Sequence, residues 1–160
     1  MITGVYSQSI DTYLTLEEKR IHTAVDASKV KYLFKFTNDM TGTVKYAYGV
    51  KGTTNDRYVK NTFTHNTTED VYQGRVNFKP FGFWKYEVYE VTWLGVVSLQ
   101  GASTAPSTEI PPALPTGDPD FGVVKGKVEE GKLYIQERAG QEQVKYTKHT
   151  TTETNYLYTN

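Results

Sequence analysis

The run "KVKYLFKF" alternates so regularly that a half-buried strand is the element that accommodates it. Val30, Tyr32, Phe34 and Phe36 fall on one side and Lys31 and Lys35 on the other, which is the two-residue period of a strand with one face in a core and one in water. "TVKYAYGV" repeats the pattern with Val44, Tyr46, Tyr48 and Val50. The intervening "TNDMTG" supplies Asn, Asp and Gly, residues that tolerate turn dihedrals, so Val30–Val50 reads as a hairpin. V-K-Y recurs at Val30, Val44 and Val144, but the irregular spacing marks strand grammar and not a repeat architecture. Further strands are expected over Arg57–His65 and Arg75–Lys79.

"FGFWKYEVYEVTW", Phe81–Trp93, holds both of the chain's tryptophans. Trp84, Tyr86 and Val88 share one face and Lys85 and Glu87 the other. Beyond Val88 the second face also turns apolar, with Tyr89, Val91 and Trp93. Either the strand passes from an exposed into a covered position, or a bulge near Glu90 exchanges its faces. Both readings make it central, and it is the longest strand expected. Most of its aromatics read as core, with Tyr89 and Trp93 the expected exposed exceptions.

The text changes from Leu99 to Phe121, which holds all but one of the six prolines. Proline removes ladder donors, so a long exposed loop or arm is expected there. "VVKGKVEEGKLYIQE" reads as a second hairpin, Val123–Val128 and Lys132–Glu137, turning at Glu130-Gly131. The Thr-rich ending is strand-like, an edge strand or a tail that adds to a neighbour's sheet. Near the start, "TLEEKR" carries Thr15 and Glu18 in capping-box spacing, but the alternating flanks favour a hairpin turn at Glu17–Arg20. The expected fold is a single all-β domain over residues 1–160. It is an antiparallel β-sandwich or barrel-like domain with a core at about 30–137, a proline-rich arm at 99–121 and a C-terminal extension at 143–160. Val30, Tyr32, Phe34, Phe36, Trp84, Tyr86 and Val88 are its structural core.

Charge narrows the partners. Lys+Arg and Asp+Glu each number 18, so no net positive field draws phosphates and nucleic acid is not expected as the main partner. Near-zero charge also suits a subunit that associates. There is no cysteine, which removes disulfides, thiolate metal sites and cysteine nucleophiles. No run of about eighteen apolar residues occurs, so no membrane partner is expected. "MITGVYSQSIDTYLTL" lacks the form of a signal peptide, so synthesis is expected in the cytoplasm.

No constellation of catalytic type emerges. His22, His65 and His149 stand alone, without short metal-motif spacings, and no metal or cofactor is expected. Asp118 and Asp120 lack the remaining ligands of a calcium loop and read as an Asx turn. Glu129 and Glu130 are adjacent positions on the expected hairpin and point apart, and a turn flanked by lysines reads as solvated surface, which does not suit paired acid–base work. The sequon at Asn66-Thr67-Thr68 carries no meaning without a secretory signal.

With these residues placed, "FTND" at Phe36–Asp39, "RY" at Arg57–Tyr58, "GFWKYEVYE" at Gly82–Glu90 and "VEEG" at Val128–Gly131 resemble, in order, small virion proteins encoded among the structural genes of tailed bacteriophages. The resemblance spans roughly Phe34 to Glu137. It implies a non-enzymatic structural role in the virion, with the chain made in the host cytoplasm. The expected partners are identical subunits in a symmetric ring or lattice and portal, tail or capsid proteins. A head-to-tail connector or neck ring protein is the favoured reading and a head decoration or auxiliary capsid protein the alternative. Tyr89, Trp93, Pro111, Pro112, Tyr156 and Tyr158 are the candidate subunit contacts. From a different class, a carbohydrate-binding module would use Trp93 and Tyr89 as a sugar platform.

Overall fold

The computed structural model describes residues 1–54, 57–110 and 118–138. Its strands are β1 (Ile2–Val5), β2 (Ile10–Leu14), β3 (Val30–Asn38), β4 (Val44–Tyr48), β5 (Val50–Thr54), β6 (Val59–His65), β7 (Arg75–Val76), β8 (Gly82–Thr92) and β9 (Val123–Gln136). They form an all-β sandwich: a five-stranded sheet in the order β1-β9-β8-β3-β4 faces a smaller sheet in the order β2-β6-β5, with β7 beside β6. The sheets are mixed and not purely antiparallel, because β1 runs parallel to β9 and β7 parallel to β6.

The alternation in "KVKYLFKF" becomes β3, and the predicted hairpin forms with β4. Its turn is held by Asn38, whose Oδ1 accepts from the backbone N–H groups of Met40 and Thr41, both at 3.0 Å, while Gly42 closes it at φ 69°. The inward side chains of β3 meet those of β6 across the sandwich. The Phe63 ring stands edge-on to Phe34 at 4.8 Å and to Phe36 at 5.2 Å. Such edge-to-face contacts add to the roughly 1.5–3 kcal/mol that burying each large apolar side chain contributes. All of Val30, Tyr32, Phe34, Phe36, Trp84, Tyr86 and Val88 lie in this core.

β8 occupies the middle of the larger sheet, as expected. Its pairing with β3 is unbroken from Val30↔Thr92 to Asn38↔Trp84, so β8 itself does not exchange faces. The irregularities lie opposite, in β9, where Val128 and Lys125 are the extra residues between paired positions. β9 is also the longest strand, which corrects the expectation for β8 and for the Glu130-Gly131 turn. Gly131 does not turn the chain. It sits directly across from Tyr86, whose ring lies over it so closely that an added Cβ would meet ring and hydroxyl atoms at 2.6–2.9 Å. The glycine makes room for an aromatic ring on the paired strand.

Three further expectations change. The N-terminal segment lies inside the domain, since β1 joins β9 and β2 joins β6, so the core is not confined to about 30–137. Arg75–Lys79 shortens to the two residues of β7. Glu17–Lys19 forms a single 3-10 turn and "IHTAV" no strand, so Glu17–Arg20 is not a hairpin: β2 pairs with β6 instead, satisfying its backbone at long range. The C-terminal extension, with Tyr156, Tyr158 and His149, lies outside the described residues.

Gly131→Ala is expected to lower stability by about 1–3 kcal/mol through overpacking against Tyr86. Most of that loss should vanish in a Tyr86→Leu background, measured by denaturant titration of the four proteins. Equal losses in both backgrounds would dismiss the ring as the cause.

Candidate functional site

The outward face of the larger sheet is built in bands that follow from its register. At one end Leu33, Tyr48, Val91 and Trp93 form a second apolar cluster on the side of β8 opposite the main core. Residues 94–110 fold back over it and contribute Ala105, which is fully buried. The described part of the proline-rich segment is therefore a cover and not a projecting arm; Pro111 and Pro112 lie outside the described residues. The reason is hydrogen bonding to aromatic tips. Trp93 Nε1 donates to the Thr104 carbonyl at 3.1 Å, and the Tyr48 hydroxyl donates to the Pro106 carbonyl at 2.7 Å. Gly122 N donates to the same Thr104 carbonyl at 3.0 Å, and Gly122 leaves no Cβ to collide with the Trp93 indole.

Trp93 is thus 0% exposed, which corrects its expected place as an exposed contact residue, and Tyr89 is half-buried at the edge of the same cluster. A sugar platform built on Trp93 loses its stacking surface.

Glu109 fastens the far end of the cover, accepting from Lys35 Nζ and from the Tyr46 hydroxyl, both at 2.6 Å. Burial pushes its carboxyl up, but these two bonds outweigh burial and hold its pKa below the ordinary glutamate value. Beyond it runs a charged band. Glu87 faces Lys85 and Lys127 at 3.2 Å each, Lys127 also meets Glu130 at 2.5 Å, and Lys132 meets Asp39 at 2.5 Å. The band neutralises itself locally. Phe83 closes the face, 49% exposed and 4.7 Å from the ring of Tyr134.

Glu129 and Glu130 do point apart: Glu129 pairs with Lys19, and Glu130 with Lys127. The Asx turn at Asp118 is present, with Asp120 N donating to Asp118 Oδ1 at 2.9 Å. His65 packs against the edge of Tyr6 at 4.4 Å, and burial, then the charge of Lys79, lowers its pKa. Among the described residues no group of three or more His, Asp or Glu is placed to hold a metal. A pocket of about 310 Å³ lies within the covering segment, lined by Ala105, Pro106, Ile110 and Phe121 among others, with no ionisable side chain among the described residues of its wall.

Two features escaped sequence reading. The first is the loop after β8, where Leu94 is 67% exposed and Val96 68%. The pair is presented by a pinned backbone. Trp93 N donates to the Lys29 carbonyl at 3.0 Å, Lys29 Nζ donates to the Leu94 carbonyl at 2.6 Å, Gly95 N to the Pro119 carbonyl at 2.6 Å, and Val96 N to Asp120 Oδ1 at 2.7 Å. The signal was two aliphatic residues flanking Gly95, just past the end of a strand pattern. The second is Glu90, 0% exposed on the inward side of β8, whose two oxygens accept from the backbone N–H groups of Ile21 and His22. Around it the Tyr32 hydroxyl, Arg20 Nε and His22 Nδ1 are buried without a hydrogen-bond partner. Burial, then the charges of Glu17 and Glu90, raises the pKa of the Tyr32 hydroxyl.

No protein-family model, curated protein or solved structure matches this chain.

Because the Glu109 pKa is depressed, its tie stabilises the fold above the ordinary glutamate range and is lost as pH falls through the lower folded value. Thermal melts between about pH 6 and pH 3 should therefore fall more steeply for the parent than for Glu109→Gln. Parallel slopes would remove Glu109 as the fastening.

Proposed function

We propose that this chain is a non-enzymatic structural subunit of a tailed-phage particle, acting as a head-to-tail connector or neck ring protein. The single observation that carries its assembly role is the pinned tip. Leu94 and Val96 stand exposed on a backbone already ordered by four hydrogen bonds, so docking them loses little further chain entropy. Covering each on a neighbour contributes on the order of 1.5–3 kcal/mol, repeated at every subunit of a ring. Val123, 45% exposed and one residue beyond the Gly122 that faces Trp93, extends the apolar surface at this end of β9.

The remaining surface suits the same role. The self-neutralised band on the outer face adds no long-range repulsion between copies, and the two-sheet core supplies a rigid block. The sequence resemblance to small virion proteins supplies the particular setting. Copies per particle distinguish the neck from the shell: about a dozen mark a closed ring, and hundreds mark decoration of the capsid.

A Leu94→Lys/Val96→Lys double variant is expected to melt within about 1 kcal/mol of the parent, since both side chains are exposed. Its incorporation into particles, quantified by mass spectrometry against the major capsid protein, should drop at least tenfold. Normal incorporation would reject the tip as the docking element, and absence of the parent chain from particles would reject the virion role altogether.

A further inference from the structure

The segment from Glu17 to Lys29 runs between two buried anchors, Leu16 and Val30, yet contains no buried residue of its own. Polar contacts hold it down. Glu90 Oε2 accepts from Ile21 N at 2.6 Å and Oε1 from His22 N at 3.0 Å. Arg20 fixes the shape of the segment by donating to the carbonyls of His22, at 3.2 Å, and of Val25. Ion pairs from Glu17 to Lys51 at 3.2 Å and from Lys19 to Glu129 tether its first turn.

Two opposing effects meet here. Hydrogen bonds to a buried carboxylate are among the stronger ones, because the acceptor is charged and shielded from water. Against them, the closed segment leaves Tyr32 Oη, Arg20 Nε and His22 Nδ1 without partners, and opening would hydrate these groups. A segment with no buried apolar side chain also belongs to the low end of local opening free energies. Glu90, in contrast, projects from the central strand of the larger sheet and stays in place.

We infer that residues 17–29 form a latch, closed by Glu90, which opens as a unit on an intact sandwich and controls the order of the Leu94–Val96 tip. The second half follows from Lys29. This last residue of the segment holds the Trp93 amide with its carbonyl and the Leu94 carbonyl with its ammonium group. Release of the latch withdraws two of the four ties on the tip. The latch stands on these bonds alone; only its bearing on assembly rests on the docking role proposed for the tip.

Amide hydrogen exchange by NMR on the full, unassembled chain tests the latch independently of any particle. Glu90→Gln places an amide NH2 against one of the two backbone donors. Ile21→Pro removes one donor from the other side, at a position whose side chain is exposed and whose preceding residue, Arg20 at φ −58° and ψ 134°, already has the extended conformation that proline requires before it. In both variants the His22 amide is expected to exchange about tenfold faster or more. The Gly95 and Val96 amides should accelerate too, while Phe34 and Val88 in the core keep the parent rates. Three results overturn the inference: a His22 amide unprotected in the parent, core amides that accelerate as much as His22, or tip amides that do not respond. If Glu90→Gln does not fold, Ile21→Pro decides the question alone.

Discussion

Burial of both faces of β8 at its Val91–Trp93 end obliges the chain to supply two separate covers, and most of the architecture serves that need. Trp84, Tyr86 and Val88 look into the main core, where the small sheet closes over them with Phe63 and Val59 from β6 and Ile10 from β2. Val91 and Trp93 look the other way, and residues 94–110 close over them with Ala105. A strand paired on both edges leaves no backbone edge to solvent, and its C-terminal end, covered on both faces, gives the remaining elements a fixed reference. β9 follows β8 along its length and absorbs the mismatch in two bulges. The small-residue composition of the covering loop has a physical meaning in this setting. Short side chains let its carbonyls approach the tips of Trp93 and Tyr48 closely enough to accept their hydrogen bonds.

The polar groups divide into two kinds. On the outer face lysines and carboxylates compensate one another at the surface, where each pair contributes little to stability and the band as a whole adds little net charge. At the inward end of β8, Glu90 is buried and bonded only to backbone N–H groups of a segment that brings no apolar anchor. The molecule thus combines a rigid block with a polar, weakly held strap on one end. Lys29 joins that strap to the apolar tip at the end of β8. Under the proposed docking role, opening of this strap would adjust the order of the Leu94–Val96 tip without disturbing the core.

The alternation of "KVKYLFKF", "TVKYAYGV" and "GFWKYEVYE" was enough to place β3, β4, β8 and the principal core residues. Asx chemistry at Asp118 was equally legible, because it is local. Gly131 shows where local reading stops. A glycine beside acidic residues signals a turn, yet the same residue also serves wherever a ring must lie against the backbone, and only the partner strand shows that Tyr86 is there. Trp93 looked exposed because its cover arrives from the following segment and not from its own strand. Leu94 and Val96 flank Gly95 just past a strand pattern, but the ties that turn this backbone outward come from Lys29, Pro119 and Asp120, distant in the chain.

The sequence by itself determined which side chains along each strand share a face, since a two-residue period leaves no freedom in that choice. Only the tertiary structure decided which strands pair, in which direction, and which outward face receives a second cover. Ile2 meets Leu133 and Phe63 meets Phe34 across the fold, contacts set by the competition of distant segments for backbone partners and apolar surface. Strand alternation carries no record of that competition, because every amphipathic strand offers the same pattern to all of its possible neighbours.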